Sequence, residues 1–190
     1  MKIGLYFGSF NPIHTGHLII ANHVLNETEL KKIWFVVSPQ NPLKNSFTLL
    51  NEYHRLHLVR TVVADDNRFK AIDIEFQLPK PSYTIDTLTY LQEKYPTHQF
   101  SVIIGSDSLL NLPKWKNYDL LIKNYNFIIY QRAGFDAVVN KQPNIYTLNA
   151  PVLDISSTMI RNLIKEKKST RYLLPEPVRE EIERNGYYLK

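Results

Sequence analysis

Gly8-Ser9-Phe10-Asn11-Pro12-Ile13-His14-Thr15-Gly16-His17 is the stretch on which the reading of this chain turns. It follows a short apolar run, residues 3–7, that reads as a strand. It opens residues 16–30, where Leu18, Ile19, Val24 and Leu25 recur at helical spacing. Gly8 and Gly16 let the backbone of such a loop come close to a ligand. The free N–H groups and the positive dipole end of the helix favour a phosphate there. His14 and His17 lie three apart, so in a helical first turn they share a face. Two imidazoles in that place form a compact set of donors for phosphate oxygens. Zinc is the poorer alternative, because a closed site wants four ligands and no other His, Asp or Glu stands at a ligand-like spacing.

Working outward, the same alternation continues. Strands are predicted over residues 33–37, 71–74, 100–104 and 126–130, with a weaker one at 145–148. Helices are predicted over 51–64, 84–95, 157–165 and 177–185. The last has Pro177 at its entrance and Gly186 at its end, the usual asymmetry of helix termini. Strands alternating with helices predict an α/β fold, a Rossmann-like doubly wound parallel sheet with helices on both faces. In such sheets ligands sit beyond the carboxyl ends of the strands, where strand order reverses. The 190 residues fit one domain, with the helical part from about residue 155 to 190 packed on the core.

Composition removes several classes of function. There is no cysteine, so disulfides, thiolate metal sites and a Cys nucleophile are excluded. No apolar run approaches the ~18 residues of a membrane helix, and the first residues lack the layout of a signal peptide, so the expected compartment is the cytoplasm. The net charge of +5 fits an anionic substrate. An RNA-binding protein is the competing reading of that charge, but the aromatics do not interleave with a basic stripe. Neither G-x-x-x-x-G-K-[ST] nor G-x-G-x-x-G occurs, which argues against a P-loop ATPase and an ordinary dinucleotide dehydrogenase.

Residues 8–17 resemble the signature of the nucleotidyltransferase superfamily with a [TH]-x-G-H motif, here His14-Thr15-Gly16-His17. Four further segments narrow the resemblance. They are Ser38-Pro39-Gln40-Asn41-Pro42-Leu43-Lys44, Pro81-Ser82-Tyr83-Thr84-Ile85-Asp86-Thr87-Leu88, Ile104-Gly105-Ser106-Asp107 with Trp115, and Asp154-Ile155-Ser156-Ser157-Thr158-Met159-Ile160-Arg161. In this order, over almost the whole chain, they are similar to bacterial nicotinate-nucleotide adenylyltransferases. Two departures stand out. Asn11 replaces the family's usual Asp, and Arg132-Ala133-Gly134 replaces Arg-Pro-Gly.

The resemblance implies transfer of AMP from ATP to nicotinate mononucleotide, with release of pyrophosphate. It implies ATP and that mononucleotide as partners, no nucleic acid and no membrane, and Mg²⁺ carried on the ATP phosphates rather than by protein side chains. A homo-oligomer is compatible with it. His14, His17, Lys44 and Arg161 are the expected catalytic residues. Gly8, Ser9, Phe10, Gly105, Asp107, Arg132, Ser156, Ser157 and Thr158 join His14, His17 and Arg161 around ATP. Asn11, Lys44, Tyr83, Thr84 and Trp115 are expected at the nicotinate nucleotide, with Trp115 stacked on the ring. The residues themselves add two points. N–H groups at the helix start beside Tyr83 and Thr84 suit a carboxylate. A plain N-cap explains any one of Ser156, Ser157 and Thr158, but three in a row with Arg161 one turn later look more like a triphosphate cradle. The alternatives are the same chemistry on nicotinamide mononucleotide or phosphopantetheine, and a non-catalytic nucleotide-binding module.

Overall fold

The computed structural model describes residues 1–40, 49–131, 143–151 and 153–189. Six strands, β1 (Lys2–Gly8), β2 (Lys32–Val37), β3 (Phe69–Ile72), β4 (Gln99–Gly105), β5 (Asn126–Tyr130) and β6 (Ile145–Leu148), form one sheet in the order β3-β2-β1-β4-β5-β6. Every pairing is parallel. The helices are α1 (Thr15–Glu27), α2 (Glu52–Val63), α3 (Thr84–Lys94), α4 (Ser106–Leu109), α5 (Tyr118–Asn124), α6 (Ser157–Lys165) and α7 (Glu176–Asn185).

Apolar residues on both faces of the strands explain the layering, since a parallel sheet is covered on both sides. Tyr6, Phe35, Val37, Ile103 and Ile128 pack with residues of α1, α2, α6 and α7. Leu5, Trp34, Val36, Val102 and Ile129 pack on the other side with α3 and with Leu121 of α5. The doubly wound sheet expected from the alternation is therefore present. Strand order reverses between β1 and β4, and the segments leaving these two strands are the signature loop and Gly105–Asp107.

Two expected boundaries differ from the structure, and one helix was not expected. The first helix ends at Glu27, not residue 30, because Thr28 is extended and its Oγ1 donates to Val24 O at 2.7 Å. Leu30, which prolonged the apolar pattern, is buried in the core from the loop beyond. The third strand lies at Phe69–Ile72 rather than 71–74, and Ile74 belongs to a 3₁₀ turn, Ile74–Phe76. Ile74 packs in the same cluster as Ile72, so the period-two pattern continues past the end of the strand. Helix α5 was not anticipated; seven residues with one buried side chain carry little periodicity. No helix among the described residues is long and apolar enough to cross a membrane.

Candidate active site

Beyond the carboxyl ends of β1 and β4 lies a cleft with two lobes. The first has a volume of about 350 Å³ and is bordered by the signature loop, Gly105, Asp107, Tyr130 and the start of α6. The second, about 470 Å³, is bordered by Ser38, Glu75, Tyr83, Thr84, Trp115 and their neighbours. The lobes share Phe7, Gly8, Ser9, Ile104, Asp107 and Ser108. A ligand with two halves could therefore span them across the β1–β4 junction.

The two histidines are placed by the helix itself. His14 is the N-cap of α1, and His17, one turn on, stacks on it with ring centroids 3.7 Å apart. His14 N–H donates to His17 Nδ1 at 3.2 Å. An Nδ1 that accepts leaves the ring proton on Nε2, so the neutral ring of His17 is a donor through Nε2. Gly16 leaves room for this arrangement, because a Cβ there would lie 3.1 Å from two atoms of the His14 ring and would press on it. At Gly8 a Cβ would lie 2.7 Å from Phe10. The room that these glycines leave is thus filled by the loop's own rings. Phe10, at positive φ and 2% exposed, packs edge-on against Tyr6 and His17 while still bordering the first lobe.

The carbonyls of the loop are held from outside. Arg55 donates to Ser9 O at 2.5 Å, Arg161 to Asn11 O at 2.8 Å, and Ser157 Oγ to Pro12 O at 2.9 Å. Asn11 Oδ1 accepts from Leu50 N–H at 3.1 Å. Three carbonyls committed in this way fix the course of the loop past the ligand cleft. Burial lowers the pKa of Arg161 and brings that of Arg55 to about 10. Ser156 caps α6 by accepting from Met159 N–H at 3.1 Å, so the plain capping role is filled while the residue also borders the first lobe.

Of the residues singled out from sequence, Gly8, Ser9, Phe10, His14, His17, Gly105, Asp107, Ser156, Ser157, Thr158 and Arg161 gather around the first lobe. Tyr83, Thr84 and Trp115 gather around the second, with Trp115 half-buried. Asn11, grouped by sequence with the second set, borders the first lobe instead. Lys44 and Arg132 lie outside the described residues.

Sequence reasoning missed two buried charges. Arg55 is wholly buried in α2 and binds the carbonyls of Leu50, Ser9, Ser38 and Pro39. It stands one turn before Val59, within the apolar stripe of its helix, and a charge in that stripe was the available signal. Glu75 is 2% exposed, lies in the wall of the second lobe and accepts hydrogen bonds from Ser82 Oγ and Thr87 Oγ1. Burial raises its pKa against the opposing effect of hydroxyls from Ser82, Ser38 and Thr87. An acid between Ile74 and Phe76 was its only mark in the sequence.

The model of cytidylyltransferase-like proteins matches residues 5–163. A Flavobacterium psychrophilum protein described as a probable nicotinate-nucleotide adenylyltransferase is 49% identical over 193 residues, covering all of both chains. This chain belongs to the nicotinate-nucleotide adenylyltransferase family. A Cytophaga hutchinsonii protein of the same description is also 49% identical, over 99% of this chain and 98% of its own. The family's fold is seen in a Plasmodium falciparum nicotinic acid mononucleotide adenylyltransferase complexed with NaAD. It matches with a TM-score of 0.82 at 22% identity, over 98% of this chain and 97% of that one.

Proposed function

We propose that this chain, acting as one catalytic domain over residues 1–190, joins nicotinate mononucleotide to the AMP part of ATP. The observation that carries the reading is the two-lobed cleft, with donors to phosphate in one lobe and an aromatic, helix-start surface in the other, meeting at Gly8–Ser9 and Asp107. The 5′-phosphate oxygen of the mononucleotide forms a bond to the α-phosphorus of ATP. The bond from that phosphorus to the bridging oxygen breaks, and pyrophosphate leaves with the electron pair. No protein nucleophile is required, so catalysis reduces to in-line positioning and stabilisation of charge on phosphoryl oxygens.

In this reading His14 and His17 donate to the phosphates at the start of α1. Arg161 and the hydroxyls of Ser157 and Thr158 complete the cradle from α6, and Lys44 and Arg132 supply further charge. Asp107 accepts from ribose hydroxyls at the junction, while Gly105 lets the adenosine approach. Mg²⁺ enters on the phosphates of ATP, as part of the substrate, and neutralises part of their charge. In the second lobe the N–H groups at the start of α3, beside Tyr83 and Thr84, receive the nicotinate carboxylate, and Trp115 stacks on the ring. The acid is favoured over the amide because a helix start attracts negative charge.

The assignment of the lobes is tested by Trp115→Ala. Loss of one stacking surface costs ~1–3 kcal/mol, so the KM for nicotinate mononucleotide should rise about tenfold or more while that for ATP holds. A rise confined to ATP would reverse the assignment.

A further inference from the structure

Glu75 draws together the segment that leaves β2 and the connection from β3 into α3. It sits in the 3₁₀ turn after β3 and forms part of the wall of the second lobe. Ser82 Oγ donates to one carboxylate oxygen at 2.6 Å and Thr87 Oγ1 to the other at 3.0 Å. A third hydroxyl, from Ser38 after β2, also faces it. All three donors are nine-tenths or more buried. Ser82 precedes Tyr83, the N-cap of α3, and Thr87 lies one turn after it. One buried carboxylate thus holds α3 on both sides of its first turn, the turn whose leading N–H groups have no acceptor inside the helix.

A carboxylate suits this place for a definite reason. When ionised it only accepts, through two oxygens, and can satisfy several converging hydroxyl donors. An amide offers one oxygen and turns an N–H₂ toward the others. Among the described residues no Lys or Arg is hydrogen-bonded or ion-paired to Glu75 in place of those hydroxyls.

We propose that Glu75 is the positioning residue for recognition of the acceptor's acid group: through Ser82 and Thr87 it sets where the α3 N–H groups meet the nicotinate carboxylate. The proposal rests on the reading of the second lobe as the nicotinate site. Glu75 acts through the turn, so its loss changes acceptor recognition and leaves the ATP lobe as it was. Hydrogen bonds to a charged group are individually strong enough for loss of one to be read as a roughly tenfold effect.

The experiment uses the full chain and the variants Glu75→Gln, Ser82→Ala and Thr87→Val. Steady-state kinetics are measured with ATP, nicotinate mononucleotide and nicotinamide mononucleotide. For Glu75→Gln the KM for nicotinate mononucleotide should rise roughly tenfold, the KM for ATP should hold, and the preference for acid over amide should shrink. Ser82→Ala and Thr87→Val should show the same split in weaker form, and they carry the test if Glu75→Gln does not fold. A lower yield of active protein with both KM values and the acid preference unchanged would mean a purely structural role and overturn the proposal. An equal rise in both KM values would overturn it too. In either case turnover of nicotinate mononucleotide by the unmodified chain leaves the reading of the lobe standing. Turnover of the amide alone by the unmodified chain would remove that reading and the proposal together.

Discussion

His14 and His17 hold each other in place: one caps the helix, the other stacks on it, and a backbone N–H fixes the tautomer of the second ring. A donor fixed in this way needs no reorganisation when charge develops on a phosphoryl oxygen. Loss of one such preorganised donor typically costs 10²–10³ in rate. His17→Ala is therefore expected to lower kcat by ~10²–10³, with the thermal midpoint changed far less than the rate. Pre-steady-state measurement of the dinucleotide formed per turnover checks this, and near-normal turnover would remove His17 from the chemistry. The pair was legible because three-residue spacing has one meaning at a helix start. Arg55 and Glu75 were not, because their partners lie far along the chain. Arg55 reaches Ser9, 46 residues away, and Glu75 reaches Thr87, 12 away. Neither distance leaves a periodic trace in one sequence.

At the scale of elements, the sequence reading was most accurate where side chains settle a boundary locally. The strands at Asn126–Tyr130 and Ile145–Leu148 and the helix at Ser157–Lys165 fall on the expected residues. Helix α6 has its start signal in Ser156, whose side chain accepts from Met159 N–H. Where an apolar residue beyond an element packs into the same core, as Leu30 and Ile74 do, periodicity overruns the boundary. Helix α6 also connects fold to function, since the same turn carries Ser157 on Pro12 O and Arg161 on Asn11 O. Ser156→Ala should lower stability by about 1 kcal/mol through loss of the cap, as urea unfolding would show. It should also weaken ATP binding, because the cap positions those two anchors. Unchanged stability would mean that the cap is replaced by another group.

The molecule as a whole places one sheet between two helical layers and leaves the cleft at the single point where strand order reverses. Such a crevice follows from the winding of the strands, and the loops that line it decide the chemistry. Alternation of strands and helices made the fold legible, and the five motif segments made the family legible. The depth of the second lobe was not legible, because it depends on how β2, β3 and α3 converge on Glu75. Choice of acceptor is tested on the intact enzyme. ATP and Mg²⁺ would be supplied with nicotinate mononucleotide, nicotinamide mononucleotide or phosphopantetheine in separate reactions, with pyrophosphate release and the mass of the product as readouts. Rapid formation of nicotinate adenine dinucleotide and far slower turnover of the other two are expected. Preferred turnover of the amide or of phosphopantetheine, or none of any acceptor while ATP binds, would contradict nicotinate mononucleotide as the acceptor.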